Sequence, residues 1–297
     1  MKVFVTGGTG FVGRTLLRIL KSSGHQAVAL VRAGSEAKVP PGVEIVSGDV
    51  LEDSSVLALK MAGCQAVIHL VGIIREFPRK GITFERLHPQ ATRNIVAAAK
   101  EAGIQRYLHM ASLGTRPGAT SAYHQSKWAA EEIVRDSGLD WTIFRPSVIF
   151  GPEDSFVNLL ADLIRKSPFL PVIGDGNYRL QPVAVEVVAQ AFVKALNLPE
   201  TIGKTFEVCG PSPLTYNEIV RAVAQALSRR VVLIHLPVSL MRLAASLLGG
   251  FAFFPLTTDQ ITMLLEENVC QNTEVFYQTF DLPRVDFREG IARYLGK

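Results

Sequence analysis

Short apolar runs alternate with helix-period stretches through the first half of the chain, starting with Lys2-Val3-Phe4-Val5 just before a glycine-rich turn. The alternation predicts strands at 2–6, 26–31, 43–46, 66–71, 106–111 and 140–145, with helices at 11–22, 53–61, 85–102 and 122–137. Strands joined through helices pair in parallel, so the expected fold class is α/β, a Rossmann-type doubly wound parallel sheet. The second half is less regular. Proline breaks at 168–171, 199, 211–213 and 237 separate helical stretches near 155–166, 184–197 and 215–227. The expected division is a sheet domain at 1–150, with parts of 178–210 returning to it, and a smaller C-terminal substrate region at 151–297.

Residues 238–254 (VSLMRLAASLLGGFAFF) form the longest nearly apolar run, bounded by Pro237 and Pro255. A membrane span needs about 20 apolar residues, and Arg242 with the Gly249-Gly250 pair weakens this shorter run further. Leu240, Leu243, Ala244, Leu247, Leu248 and Phe251 fall on one helical face. That face fits packing on the protein's own core, and it also fits a membrane surface, a lipid-like substrate or a partner subunit.

At 297 residues and 48% hydrophobic content the chain can bury a large core. Net charge is only +4 and the cations are scattered, which argues against a nucleic-acid surface. Cys64, Cys209 and Cys270 are odd in number and lack metal-ligand spacing, so they are expected as reduced, mostly buried thiols, with no metal site. The first strand begins at Lys2 and leaves no room for a leader, so the expected location is cytoplasmic, at most peripheral to the inner face of the membrane.

The turn after the first strand reads T-G-G-T-G-F-V-G (6–13). Strand, glycine-rich turn and helix in that order make an anion site from helix N–H groups and a partial positive charge. Gly7 can take the tight turn, Gly10 can admit a pyrophosphate, and Gly13 can let the helix pack closely. Thr6, Phe11 and Val12 complete the expected contacts of a dinucleotide. The second strand ends A-L-V-R, placing Arg32 where an NAD site usually has an acid for the ribose diol. A guanidinium suits a 2′-phosphate, and Arg14 can add to its field, so NADP(H) is expected over NAD(H).

Tyr123-His124-Gln125-Ser126-Lys127 fits Y-x-x-x-K, which puts Tyr123 and Lys127 on one face of a helix. A free tyrosine has a pKa near 10. A neighbouring lysine favours the phenolate, and Tyr123 can then give a proton to a carbonyl oxygen or take one back. Lys127 can also hold ribose hydroxyls. Ser112, after the strand ending at Ala111, is placed to bind the same oxygen. His69 lies within an apolar strand and reads as a packed, hydrogen-bonded side chain rather than a catalytic one.

The G-x-x-G-x-x-G loop, Ser112 and Y-x-x-x-K together resemble the short-chain dehydrogenase/reductase superfamily in its extended and atypical branches. R-P-S-V-I-F-G-P (145–152) and G-D-G-N-Y-R-L-Q-P-V-A-V-E-V-V (174–188) resemble later segments of the extended, epimerase/dehydratase-like members, so the resemblance covers about residues 2–230. It implies that Asp49 and Val50 lie by the adenine, that Leu70, Val71 and Gly72 line the cofactor cleft, and that Pro146 lies near the nicotinamide. A-S-L-G (111–114), Gln181-Pro182-Val183 and F-P-L-T-T-D-Q (254–260) narrow the resemblance further. They point to bacterial proteins similar to the nucleotide-binding accessory subunit of mitochondrial complex I. That implies proximity to quinone or respiratory-membrane chemistry.

Three functions follow as expectations. The first is an oxidoreductase moving hydride to or from a carbonyl or alcohol of an apolar or quinone-like small molecule. The second is a dinucleotide-binding structural or assembly protein of a respiratory complex, in contact with it or a membrane through 238–254. The third, a nucleotide-sugar epimerase or dehydratase, is disfavoured by Pro146 and Ser147, where such enzymes commonly carry Asn. A homodimer is compatible with all three.

Overall fold

The computed structural model describes residues 1–248 and 256–296. The glycine pair, Phe251 and Pro255 of the long apolar run therefore lie outside the described residues. Six strands build most of the central sheet: β1 (Lys2–Thr6), β2 (Gln26–Val31), β3 (Glu44–Ser47), β4 (Ala66–His69), β5 (Arg106–Met110) and β6 (Asp140–Pro146). Four helices alternate with them: α1 (Phe11–Ser22), α2 (Ser54–Lys60), α3 (Ala91–Glu101) and α4 (Ala122–Arg135). The long helix expected at 85–102 opens instead with a π turn, Arg86–Gln90, which contains Pro89; a proline nitrogen cannot donate into a regular α ladder.

Past α4 come α5 (Val157–Lys166), β7 (Phe169–Ile173), α6 (Val185–Ala195) and β8 (Lys204–Val208), followed by α7 (Tyr216–Ala226) and β9 (Val232–Leu236). The chain closes with α8 (Val238–Leu248), α9 (Thr258–Leu265), α10 (Glu274–Phe280) and α11 (Phe287–Leu295). The sheet order is β3-β2-β1-β4-β5-β6-β8, and every pairing is parallel. The chain thus winds outward from β1 to β3 and then crosses to β4. The seam between β1 and β4 is where such sheets open a crevice at their carboxyl ends. This is the doubly wound Rossmann-type fold, with additional C-terminal helices and small strand pairs.

The two faces of the sheet carry separate apolar layers. On one, Val3, Val5, Ala29 and Ile68 pack with Leu16, Leu17 and Leu20 of α1 and with α6. On the other, Phe4, Val28, Val67 and Tyr107 pack with Leu57 of α2 and Ile95 and Ala99 of α3. Adjacent residues of one strand serve opposite layers, as strand geometry requires.

Helix α4 is anchored by charge as well as by apolar contact. Glu131 is fully buried and accepts a two-point bond from Arg145 of β6, at 2.8 and 2.7 Å. It also pairs with Arg135 at 2.5 Å. Removing the carboxylate strands two cations that keep only part of their hydration. Glu131→Ala is expected to cost about 3 kcal/mol of stability, measured by urea denaturation. A loss below about 1 kcal/mol would mean that solvent already screens the pair.

An expectation about side chains is corrected. Cys209 and Cys270 are not free thiols: they form a disulfide, because the end of β8 and the segment after α9 bring their Cα atoms to 6.1 Å. Only Cys64 is free, and it is buried. In α8 the face of Leu240, Leu243 and Leu247, which the sequence leaves open between core packing and an outer surface, points outward. No helix among the described residues is long and apolar enough to cross a membrane.

Candidate active site

The loop between β1 and α1 distinguishes its three glycines by what a side chain would meet. Gly7 has φ +75°, and a Cβ there would lie 3.0 Å from the backbone of Leu70. Gly13 has no room at all, since its Cβ would fall 2.2 Å from the Gly7 carbonyl oxygen and 2.7 Å from Gly8 Cα. Gly10 is different. It is exposed, sits at φ −77° and ψ 174°, and a Cβ would meet only the Gly7 oxygen at 3.3 Å. The chain's own packing therefore explains Gly7 and Gly13 and leaves Gly10 free to face a ligand.

Gly10 is also the N-cap of α1, which has no side-chain cap and no acid in its first turn. An uncapped, acid-free helix start beside an open glycine fits an anionic diphosphate. Val12 is buried against the core and Phe11 packs at its edge, near Gly151. Thr6 is buried, and its Oγ1 lies 2.6 Å from His69 Nδ1, so its hydroxyl is engaged below the loop.

Asp49 and Val50 follow β3. Asp49 Oδ1 accepts the Leu51 N–H at 2.9 Å, and its own N–H goes to Glu52, while Val50 is buried. Leu70, Val71 and Gly72 follow β4, and a Cβ at Gly72 would lie 2.7 Å from Lys127 Nζ. Pro146 ends β6 and is buried, and its carbonyl accepts the Leu113 N–H. These positions all lie at the carboxyl ends of the central strands.

Ser112, Tyr123 and Lys127 meet at the same edge. The Ser112 hydroxyl donates to the Leu113 carbonyl at 3.3 Å, and its nearness to the Tyr123 phenol draws that group's pKa down, but burial pushes the phenol up further. Lys127 is buried and donates to the Met110 carbonyl at 3.1 Å. Burial brings its pKa down to about 8, opposed by Glu131 one turn along. Phe84, His88 and His124 pack around the Tyr123 ring, with centroids 5.8, 5.6 and 5.3 Å away.

Histidines beneath the site are held neutral. His88 Nε2 accepts the Ile73 N–H at 3.1 Å, which leaves Nδ1 to donate to Ser126 Oγ at 2.8 Å. Ser126 passes its own hydrogen to the Tyr123 carbonyl. Burial, helped by the Lys127 charge, holds His88 down at about 2 and His69 at about 3. His69 is thus the packed, hydrogen-bonded side chain the sequence reading made it.

The sequence reading missed the strap formed by 257–271. Asp259 of α9 accepts the backbone N–H groups of Ala122 at 2.7 Å and Tyr123 at 3.2 Å, while Ser121 takes that of His124. The N-terminus of α4 is therefore capped from a distant part of the chain. Glu266 pairs with Arg116 at 3.1 Å, and Asn268 bonds Ser147 and the Leu113 carbonyl. The Cys209–Cys270 disulfide pins the far end. The signal for α9 was present as T-x-x-Q at Thr257–Gln260, which forms a full capping box.

Residues 7–164 match the model of a family described as NAD(P)H-binding. The chain is 30% identical to subunit 9 of the NADH dehydrogenase [ubiquinone] 1 alpha subcomplex of Arabidopsis thaliana, over 94% of this chain and 73% of that protein. It is 32% identical to a ceramide reductase of Caulobacter vibrioides, over 79% of this chain and 73% of that one. In fold it is similar to the UDP-glucose 4-epimerase of Thermus thermophilus, with TM-score 0.76 and 20% identity over 99% of both chains.

The expected preference for NADP(H) over NAD(H) is corrected by these likenesses. Solved structures of this fold, the Thermus epimerase among them, hold NAD. The Arg32 side chain is exposed beyond β2 and has no hydrogen bond or ion pair among the described residues, so nothing fixes its direction. Arg14, expected to reinforce it, is paired with Glu153 instead. With a phosphate loop, a doubly wound sheet and relatives matched over most of its length, the chain belongs to the NAD(P)H-binding family as an extended short-chain dehydrogenase/reductase-like protein related to the mitochondrial complex I subunit.

Proposed function

We propose that the chain is an NAD(H)-dependent oxidoreductase acting on the carbonyl or alcohol of an apolar small molecule. The observation that carries this reading is the meeting of Ser112, Tyr123 and Lys127 at the sheet edge, beside a loop open at Gly10. When bound, the dinucleotide supplies or accepts the hydride. The Gly7–Gly13 loop and the start of α1 would hold its diphosphate, with Asp49, Val50, Leu70, Val71, Gly72 and Pro146 along the rest. Residues 1–150 with parts of 178–210, β8 among them, would form the cofactor half, and the rest of 151–297 the substrate half.

The chain's own groups then divide the acid–base work. Tyr123 gives its phenolic proton to the carbonyl oxygen during reduction and recovers it in the reverse direction. Ser112 donates to the same oxygen. Lys127 stays cationic below a pH of about 8, where its charge favours the phenolate that remains. Phe84 against the tyrosine supports an apolar substrate, as does a relative named for reducing a ceramide. The solved neighbours that hold sugar nucleotides share only the fold with this chain.

Calorimetry with NADH and NADPH tests the cofactor half. NADH is expected to bind at least as tightly as NADPH. Arg32→Ala should change either affinity by less than about fivefold, the range of an exposed charge. A strong NADPH preference that collapses in the variant would overturn the assignment.

A second reading keeps the dinucleotide as a structural ligand in a respiratory assembly. The burial of Tyr123 and relatives that are subunits of NADH dehydrogenase favour it. Tight binding of NADH with no turnover across apolar ketones, quinones and ceramide precursors would select it.

A further inference from the structure

Helix α8 presents its leucines to solvent. At about 100° per residue, Val238, Met241 and Ala245 fall in one sector, and these pack on Ile173 and Ile261. Leu240, Leu243 and Leu247 are centred on the opposite side of the helix and are 53, 57 and 68% exposed. They point away from the body of the protein, where nothing in the described chain covers them.

The surface extends onto β7 and β9, which pair in parallel with Phe169 beside Val232 and Pro171 beside Ile234. Alternation puts Ile173 on the same side of this small sheet as Phe169 and Pro171, so α8 rests on the end of that side. The remainder is bare: Phe169, Pro171, Val232 and Ile234 are all exposed. At the start of both strands, Arg165, Lys166, Arg229 and Arg230 surround a hollow of about 270 Å³. Arg165 pairs with the exposed Asp162. Lys166, Arg229, Arg230 and Arg242 of α8 have no ion pair among the described residues. In sequence, α8 is followed by Gly249-Gly250-Phe251-Ala252-Phe253-Phe254.

We infer that this face seats the protein on an anionic lipid bilayer. The leucines of α8 enter the boundary between headgroups and acyl chains, and Lys166, Arg229, Arg230 and Arg242 meet lipid phosphates. Charge complementarity selects this occupant. The rim carries unpaired charge of one sign, which attracts an anionic leaflet. An 11-residue amphipathic helix is too short to span but suited to lie in the interface.

Co-sedimentation of the full chain with phosphatidylglycerol/phosphatidylcholine vesicles, against phosphatidylcholine alone, tests the inference. The wild type should pellet with the anionic vesicles, and less so at high salt. Leu243→Asp with Leu247→Asp, and separately Lys166→Glu with Arg230→Glu, should each weaken partitioning by about tenfold or more. All four positions are exposed, so melting temperature should hold. Gly10→Val, which alters only the dinucleotide loop, should partition like wild type. The inference is overturned if wild type stays in the supernatant or either pair binds undiminished. It is equally overturned if sedimentation velocity shows a dimer that the leucine pair dissolves, since the face then belongs to a second copy.

Discussion

Tyr123→Phe is expected to lower turnover of a carbonyl substrate by about 10³-fold, within the range of a positioned general acid, while leaving NADH affinity unchanged. The ring is held by Phe84, His88 and His124, so losing only the hydroxyl keeps the packing and removes the proton donor beside Ser112. Lys127 adds a pH signature. With its pKa brought down to about 8, the ammonium is lost above that pH, and reductive turnover should fall there. Stability should move the other way. The unfolded lysine keeps its proton up to about 10.5, so between about 8 and 10 the unfolded state binds more protons and stability rises with pH. Above about 10 the buried tyrosines reverse the trend, because burial raises their folded pKa values. Opposite slopes in activity and denaturation midpoint, both flattened in Lys127→Met, are the expected result. A Tyr123→Phe variant with wild-type turnover would remove the assignment.

Gly10→Val and Gly13→Val should separate binding from folding. Gly10 has a backbone conformation open to any residue and only one atom, at 3.3 Å, near its missing Cβ. Its valine variant is expected to melt only slightly below wild type, the cost of a poorer N-cap, and to lose at least about 100-fold in NADH affinity, because the side chain fills the diphosphate's approach. Gly13→Val drives a carbon into the Gly7 carbonyl and Gly8, so it should unfold the loop and lower the melting temperature by several degrees. Calorimetry and thermal denaturation on the same preparations decide this. If Gly10→Val binds NADH as wild type does, the diphosphate does not sit there.

The first half of the fold was legible because each strand there is a short apolar run bounded by turn residues, and each helix has a single apolar face. The second half carries weaker signals. Two-residue strands such as Ile149–Phe150 have no period, and β8 joins the central sheet only through pairing with β6. Helix α8 shows the limit most clearly. Val238, Met241 and Ala245 make one apolar face and Leu240, Leu243 and Leu247 another, so hydrophobicity alone does not say which turns inward. Arg32 was misread for a related reason: a guanidinium after a strand identifies a phosphate only if neighbours fix it. The Cys209–Cys270 bond depends on an approach of two segments 61 residues apart, which spacing does not encode. The placement of Ser112, Tyr123 and Lys127 on a strand end and one helical face was legible from local pattern, whereas the Asp259 cap that completes the start of α4 was not.

The cap on α4 has a consequence for the order in which this protein is made. Synthesis delivers N-terminal regions first, and they begin to fold as they emerge. The close backbone contacts of the β1–α1 loop glycines come from residues no later than Val71, whereas two amide groups at the start of α4 wait for Asp259, which arrives 136 or 137 residues later. A nascent chain can therefore complete its phosphate loop while the helix bearing Tyr123 is still frayed. The capped start of α4 therefore forms only once α9 has been made, after every strand of the central sheet.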